Sequence, residues 1–196
     1  KNLEKRQMEG YYCPTVEDAE KLAFSFLKDG QTVSFGGSMT LEETGMLTAL
    51  RHDPSIHLID RSTAKTPDET KKMYHDALSS DVYFMSTNAI TTGGELVNID
   101  GTGNRVAALI YGPETVVILA GMNKIAANVD EALSRVHNVA TAQNCIRLDK
   151  KTPCAITGAC ADCLSPDCIC NQVVITRRSG IKGRIKVLLI GESFGY

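Results

Sequence analysis

Apolar residues along the chain fall into short runs that switch between two spacings, and the switching predicts an order of elements. From Thr15, TVEDAEKLAFSFLKDG sets Val16, Ala19, Leu22, Ala23, Phe26 and Leu27 at helical spacing, with acids in the first turn and Gly30 past the end. QTVSF is a β-rich run, GGSMT a glycine turn, and LEETGMLTALRH, with Leu41, Met46, Leu47 and Leu50, a second helix. SIHLID and DVYFMS predict strands flanking a helix that starts at Pro67, where Thr66 and Glu69 have capping-box spacing. TTGGELVNID predicts a glycine turn and an extended segment, GNRVAALIY a buried helix, and TVVILAG a strand apolar on both faces. VDEALSRVHNVA adds an amphipathic helix, and QVVITRR and RIKVLLIGE are closing strands. This alternation predicts a three-layer α/β domain with a mostly parallel sheet, Val116 to Ala120 and Val187 to Ile190 as central strands, and ligands at the carboxyl ends of the strands. No internal repeat or long linker interrupts residues 1–196, which read as one domain.

Composition narrows the partners. The 196 residues are 43% hydrophobic and 22% charged, an ordinary globular balance that excludes disordered and fibrous classes. Twenty-one basic against 23 acidic residues leave a net charge of −2, so no whole-molecule field draws in nucleic acid. The basic stretch Arg177 to Lys186 holds no aromatic residue to stack a base and reads as a solvated hairpin. The most apolar stretch, Val106 to Met122, is broken by Gly112, Pro113 and Glu114, so no membrane span is expected. KNLEKRQMEG has no apolar signal core, and a cytoplasmic location is expected.

Three constellations carry candidate chemistry. Six of the seven cysteines lie between Cys145 and Cys170, a clustering that favours metal ligation over a disulfide scaffold. Cys154, Cys160, Cys163 and Cys170 are the expected ligands, Cys168 is a competing fourth, and Cys13 and Cys145 read as small buried hydrophobes. An iron-sulfur cluster of the 4Fe-4S type is favoured, with zinc as the alternative. The second constellation is Gly36, Gly37, Ser38 and Thr40 between a strand and a helix, where bare backbone N–H groups suit a phosphate or carboxylate. Glu43 stands at capping-box distance from Thr40 and is an acid–base candidate. The third, from Thr87 to Arg105, sets Asn88, Asn98, Asp100, Thr102 and Asn104 about Gly101 and Gly103, a loop suited to an oxygen-rich ligand. The four histidines share no metal-ligand spacing with one another.

The segments VSFGGSMTLEETGM, STNAITTGGELVNIDGTGNRVAALIYGP and TPCAITGACADCLSPDCICN resemble the lactate-utilisation (LUD) domain family, from about Glu9 to Tyr196. The resemblance implies a Rossmann-like sheet similar to the ribose-5-phosphate isomerase and CoA-transferase-like fold, with the glycine turn and the Asn-Gly-Thr loop lining one cleft. It also implies a setting in L-lactate oxidation beside iron-sulfur subunits, and a small anionic metabolite as ligand. Fold neighbours offer a second reading, a sugar-phosphate isomerase-like or acyl-transferase-like enzyme using Glu43 or Asp100. A third is a non-enzymatic sensing or assembly subunit clipped by zinc.

Overall fold

The computed structural model describes residues 1–196 and is built on two sheets. In chain order the strands are β1 (Glu9–Cys13), β2 (Thr32–Phe35), β3 (His57–Ile59), β4 (Val82–Met85), β5 (Ala89–Thr91), β6 (Leu96–Asp100), β7 (Thr115–Gly121), β8 (Ile125–Ala126), β9 (Gln172–Thr176) and β10 (Ile185–Ile190). The main sheet runs β1-β10-β7-β4-β2-β3, and every pairing in it is parallel. β7 and β10 are central, as their two-sided apolar sequences predict. Val117, Leu119, Leu188 and Ile190 pack toward the helices Val16–Phe24 and Met46–His52. Val116, Ile118 and Val187 pack on the opposite face, with Ala108 and Leu109 of the helix Asn104–Ile110. Helices on both faces make the three layers.

A smaller sheet, β8-β5-β6-β9, departs from the single sheet that the alternation predicts. β5 and β6 form an antiparallel hairpin across the glycine turn, and β9 pairs antiparallel with β6. Period-two alternation explains the arrangement. Ile90 and Leu96 join the core under the main sheet, while Ala89, Val97 and Ile99 turn to the helix Val129–Arg135 and the π-helical turn Val136–Ala140 behind it. That helical run continues as Thr141–Arg147, beyond the predicted end.

Local departures have local causes. Gly45 takes the left-handed φ of 73°, splitting LEETGMLTALRH into Met39–Glu43 and Met46–His52. Ser38, not Thr40, caps the first piece, its Oγ accepting from Leu41 N–H at 3.3 Å. β1 escapes a periodicity reading because it is an edge strand whose Tyr12 is exposed.

From β2 the chain moves outward to β3, whereas from β4 it moves the other way to β7 and β10. The order therefore reverses between β2 and β4, and the loops leaving their carboxyl ends diverge and open a crevice. Buried Arg184 fixes the far end of the helix Asn104–Ile110, donating to the carbonyls of Ala108, Leu109 and Pro113 at 2.7–2.8 Å. Arg184→Ala is expected to cost about 3 kcal/mol, read as a lower urea midpoint at unchanged slope. A loss below about 1 kcal/mol would show that water replaces these bonds.

Candidate functional site

The crevice is a cleft of about 430 Å³, within the ordinary range for a small-molecule site. Gly37 and Ser38 line it after β2, Arg61 after β3, Ser86, Thr87 and Asn88 after β4, and Lys124 after β7. Asp100, Gly101, Thr102 and Asn104 enter from the end of β6, so the glycine turn and the Asn-Gly-Thr loop do share one cleft. The backbone N–H groups of Gly37 and Ser38 donate to no atom of the chain.

Other expected site residues stand behind the lining. Asn98 is fully buried, its Oδ1 accepting from Arg105 Nη1 at 2.6 Å and from Asn88 N–H at 3.3 Å. Arg105 also donates to Ser86 O, Asn88 Oδ1 and Ile99 O, and its Nε lies 3.5 Å from Asp100 Oδ2. Asp100 accepts from the N–H groups of Thr102, Gly103 and Val106, capping the helix Asn104–Ile110. Gly36 leaves room for the Arg105 stem, since a Cβ there would sit 3.0 Å from Arg105 Cγ. Thr40 and Glu43 hold the closing segment of the chain: Thr40 Oγ1 donates to Phe194 O at 3.2 Å, and Glu43 Oε2 accepts from Gly195 N–H at 2.6 Å. Neither lines the cleft.

The field in the cleft is positive. Arg61, Arg105, Lys124, Arg147 and Lys150 line it against Asp100 and Asp167. Arg105 pairs with Asp100 and Lys150 with Asp167, which leaves Arg61, Lys124 and Arg147 without a carboxylate partner. Arg61 donates to Tyr74 Oη at 3.0 Å and lies against Gly37, where a Cβ would meet its Nη2. Arg147 donates to Tyr196 Oη at 2.7 Å. Lys124 is buried, its Nζ donating to Tyr196 O at 3.2 Å. Burial, with Arg135 and Arg105 adding repulsion, pushes the Lys124 amine down to about 7. Arg61, Lys124 and Arg147 were not singled out by sequence reasoning. They stand far apart along the chain, and the one signal for Arg61 and Lys124 is a basic residue shortly after the carboxyl end of a parallel strand.

The LUD domain model matches residues 1–190 of the chain. The chain belongs to the LUD domain family. A DUF162 family protein from Deinococcus radiodurans shares its fold at 13% identity, with a TM-score of 0.52 over 97% of this chain and 94% of that one. Ribose 5-phosphate isomerase A from Methanocaldococcus jannaschii is similar over 58% of this chain and 54% of its own, at 19% identity and a TM-score of 0.36. The eIF2B delta protein from Chaetomium thermophilum is similar over 61% and 51%, at 19% identity and a TM-score of 0.38. No curated protein matches the chain. No helix of this LUD domain is long and apolar enough to cross a membrane.

The cysteine segment of the LUD domain forms one wall of the cleft through Pro166, Asp167, Cys168 and Ile169. Asn171 stitches that wall to the end of β6, donating to Gly101 O at 2.8 Å. Cys154 contacts Thr152 Oγ1 at 3.3 Å, Cys160 lies 3.5 Å from His137 Nδ1, Cys163 donates to Ser165 Oγ, and Cys170 to Thr141 Oγ1. Each expected ligand thus has its own partner, and no three His, Cys, Asp or Glu side chains converge as a metal set requires. Thiols do neighbour one another about Cys168. Its Sγ accepts from Cys170 N–H at 3.4 Å, and burial, with neighbouring thiols adding to it, pushes up both Cys145 and Cys170, the latter to about 11. Cys13 and Cys145 are buried, as expected of small hydrophobes.

Lys124 has a consequence for stability. Between about pH 7 and the ordinary lysine value of 10.5, the unfolded chain binds a proton there that the folded chain does not. Stability therefore rises with pH across that window, and below it the full cost of a buried ammonium remains. Lys124→Met is expected to stabilise the fold by about 2 kcal/mol at pH 6, with the gain shrinking toward pH 10 in denaturation curves. A gain that does not depend on pH would contradict the burial of this charge.

Proposed function

We propose that this LUD-family protein, from a family linked to lactate utilisation, binds a small carboxylate or phosphate in the cleft. The observation that carries the reading is the pair Arg61 and Arg147, two cations with no carboxylate partner, lining with the buried Lys124 amine the same cleft as the free N–H groups of Gly37 and Ser38. An anion entering the cleft meets positive charge within low-dielectric walls and two N–H donors already in place. Asn104 and Thr102 add neutral polar atoms opposite the glycine turn, which suits a hydroxyl or carbonyl next to the charged group. The isomerase-like and transferase-like alternatives need a free carboxylate, whereas Asp100 is engaged by backbone N–H groups and Glu43 stands outside the cleft.

Calorimetric titration with pyruvate, L-lactate and inorganic phosphate tests this directly. At least one should bind, more weakly as salt is raised, and Arg61→Ala should weaken it about tenfold, or about 1.4 kcal/mol. Arg178→Ala, on the opposite basic groove with Arg6 and Arg177, should leave binding unchanged. If none binds, or if Arg61→Ala binds like the unaltered protein, the reading fails.

Metal ligation by the cysteine segment is a second reading, supported by the thiols that neighbour Cys168. An iron-sulfur cluster there would supply one-electron transfer at the wall of the cleft, consistent with an electron-transfer context beside iron-sulfur subunits; zinc would supply a structural clip. The anion site does not depend on either. Protein purified without oxygen is expected to carry near-stoichiometric iron with sulfide, or zinc, and to lose it in Cys163→Ser and Cys168→Ser but not in Cys13→Ser. Metal-free protein from that preparation would overturn this reading.

A further inference from the structure

A buried lysine with no side-chain carboxylate partner needs an account, because a poorly compensated charge in an interior opposes folding. Lys124 is 3% exposed, forms no ion pair, and makes one hydrogen bond, to Tyr196 O. It projects from the carboxyl end of the central strand β7 into a cleft it shares with Arg61 and Arg147. Carboxylate recognition is already served by those two guanidiniums, which keep their charge at any physiological pH. An amine removed from water and flanked by Arg105 and Arg135 is a weaker cation and a better nucleophile than an exposed lysine, since burial shifts it toward its neutral form.

We infer that Lys124 is the reactive amine of the cleft, and that it captures small 2-oxo carboxylates as a Schiff base while the neighbouring guanidiniums hold the carboxylate. This rests on the anion-binding reading of the cleft and names its substrate class. The Nζ lone pair adds to the keto carbon and the carbonyl π electrons move to its oxygen. The two amine hydrogens then leave with that oxygen as one water, and a C=N bond replaces C=O. Nothing is oxidised or reduced, and no co-reactant is needed. Since Nζ donates one hydrogen to Tyr196 O, its lone pair is not consumed by that bond. Glu43, at the end of the helix Met39–Glu43 and bonded by Gly195 N–H of the closing segment, is the carboxylate whose charge acts on this amine.

Incubation with pyruvate at neutral pH, reduction by cyanoborohydride and peptide mass spectrometry test the inference. The reduced adduct is expected on Lys124, formed about tenfold or more faster than on the exposed Lys28 and Lys72, because burial in the cleft favours the free amine there and the lining guanidiniums hold the carboxylate beside it. L-lactate, which has no carbonyl, should give no adduct, and Lys124→Arg, which keeps the charge, should abolish the labelled peptide. If pyruvate binds by calorimetry while Lys124 stays unlabelled, or is labelled no faster than Lys28, the Schiff-base inference falls and the anion site stands. If neither pyruvate, L-lactate nor phosphate binds and no adduct forms, both fall together.

Discussion

A guanidinium taken out of water must have its N–H groups satisfied by protein, and Arg105 meets that demand by gathering the pieces of the site. Its two terminal nitrogens reach the loop after β4 through Ser86 O and Asn88 Oδ1, and strand β6 through Asn98 Oδ1 and Ile99 O. Asp100 supplies the opposing charge and caps the helix that begins at Asn104. The main sheet, the small sheet and a helix start are thereby locked to one another at the switch point. A buried ion pair of this kind contributes little net stability, but it allows one arrangement where an apolar contact would tolerate several. Asn88, Asp100 and Arg105 are positioning groups, and Arg61, Lys124 and Arg147 are the basic residues of the cleft left without a carboxylate partner.

The cleft thus separates two uses of charge. Arg105–Asp100 and Lys150–Asp167 are neutralised pairs that shape the walls. Arg61 and Arg147 are held by tyrosine hydroxyls, which fix the guanidinium planes without cancelling their charge. Lys124 donates to Tyr196 O, and its burial shifts it toward the neutral amine. Segment 191–196 participates as well, because Phe194, Gly195 and Tyr196 bond to Thr40, Glu43, Lys124 and Arg147. Ionisable groups buried where their charge costs stability concentrate at functional sites.

Much of this was legible in the chain because burial on both faces leaves a simple pattern. TVVILAG and RIKVLLIGE sit centrally, as two-sided apolar runs predict, and the glycine turn after β2 meets the Asn-Gly-Thr loop because both leave strands at their carboxyl ends. Edge elements were less legible. β1 has an exposed Tyr12 and β8 has only two residues, so neither carries a period. The small sheet was hidden because its hairpin and β9 are far apart in sequence and joined only by backbone bonds. Among site residues, polar types alone did not reveal which atoms are already engaged: Asn98, Asp100 and Thr40 look like ligand contacts, and each bonds another part of the chain. The cysteine segment was visible as a cluster, and Cys168, the competing ligand, is the thiol that lines the cleft.

The proposed oxoanion site rests on the unpaired positive charge that lines the cleft at the switch point. Crystals grown with selenate as the only added oxoanion test it through the selenium anomalous signal, which locates the ion without prior assumption. The strongest peak is expected between Gly37, Arg61 and Lys124. A strongest peak in the other basic groove, beside Arg6, Arg177 and Arg178, with none in the cleft, would contradict it.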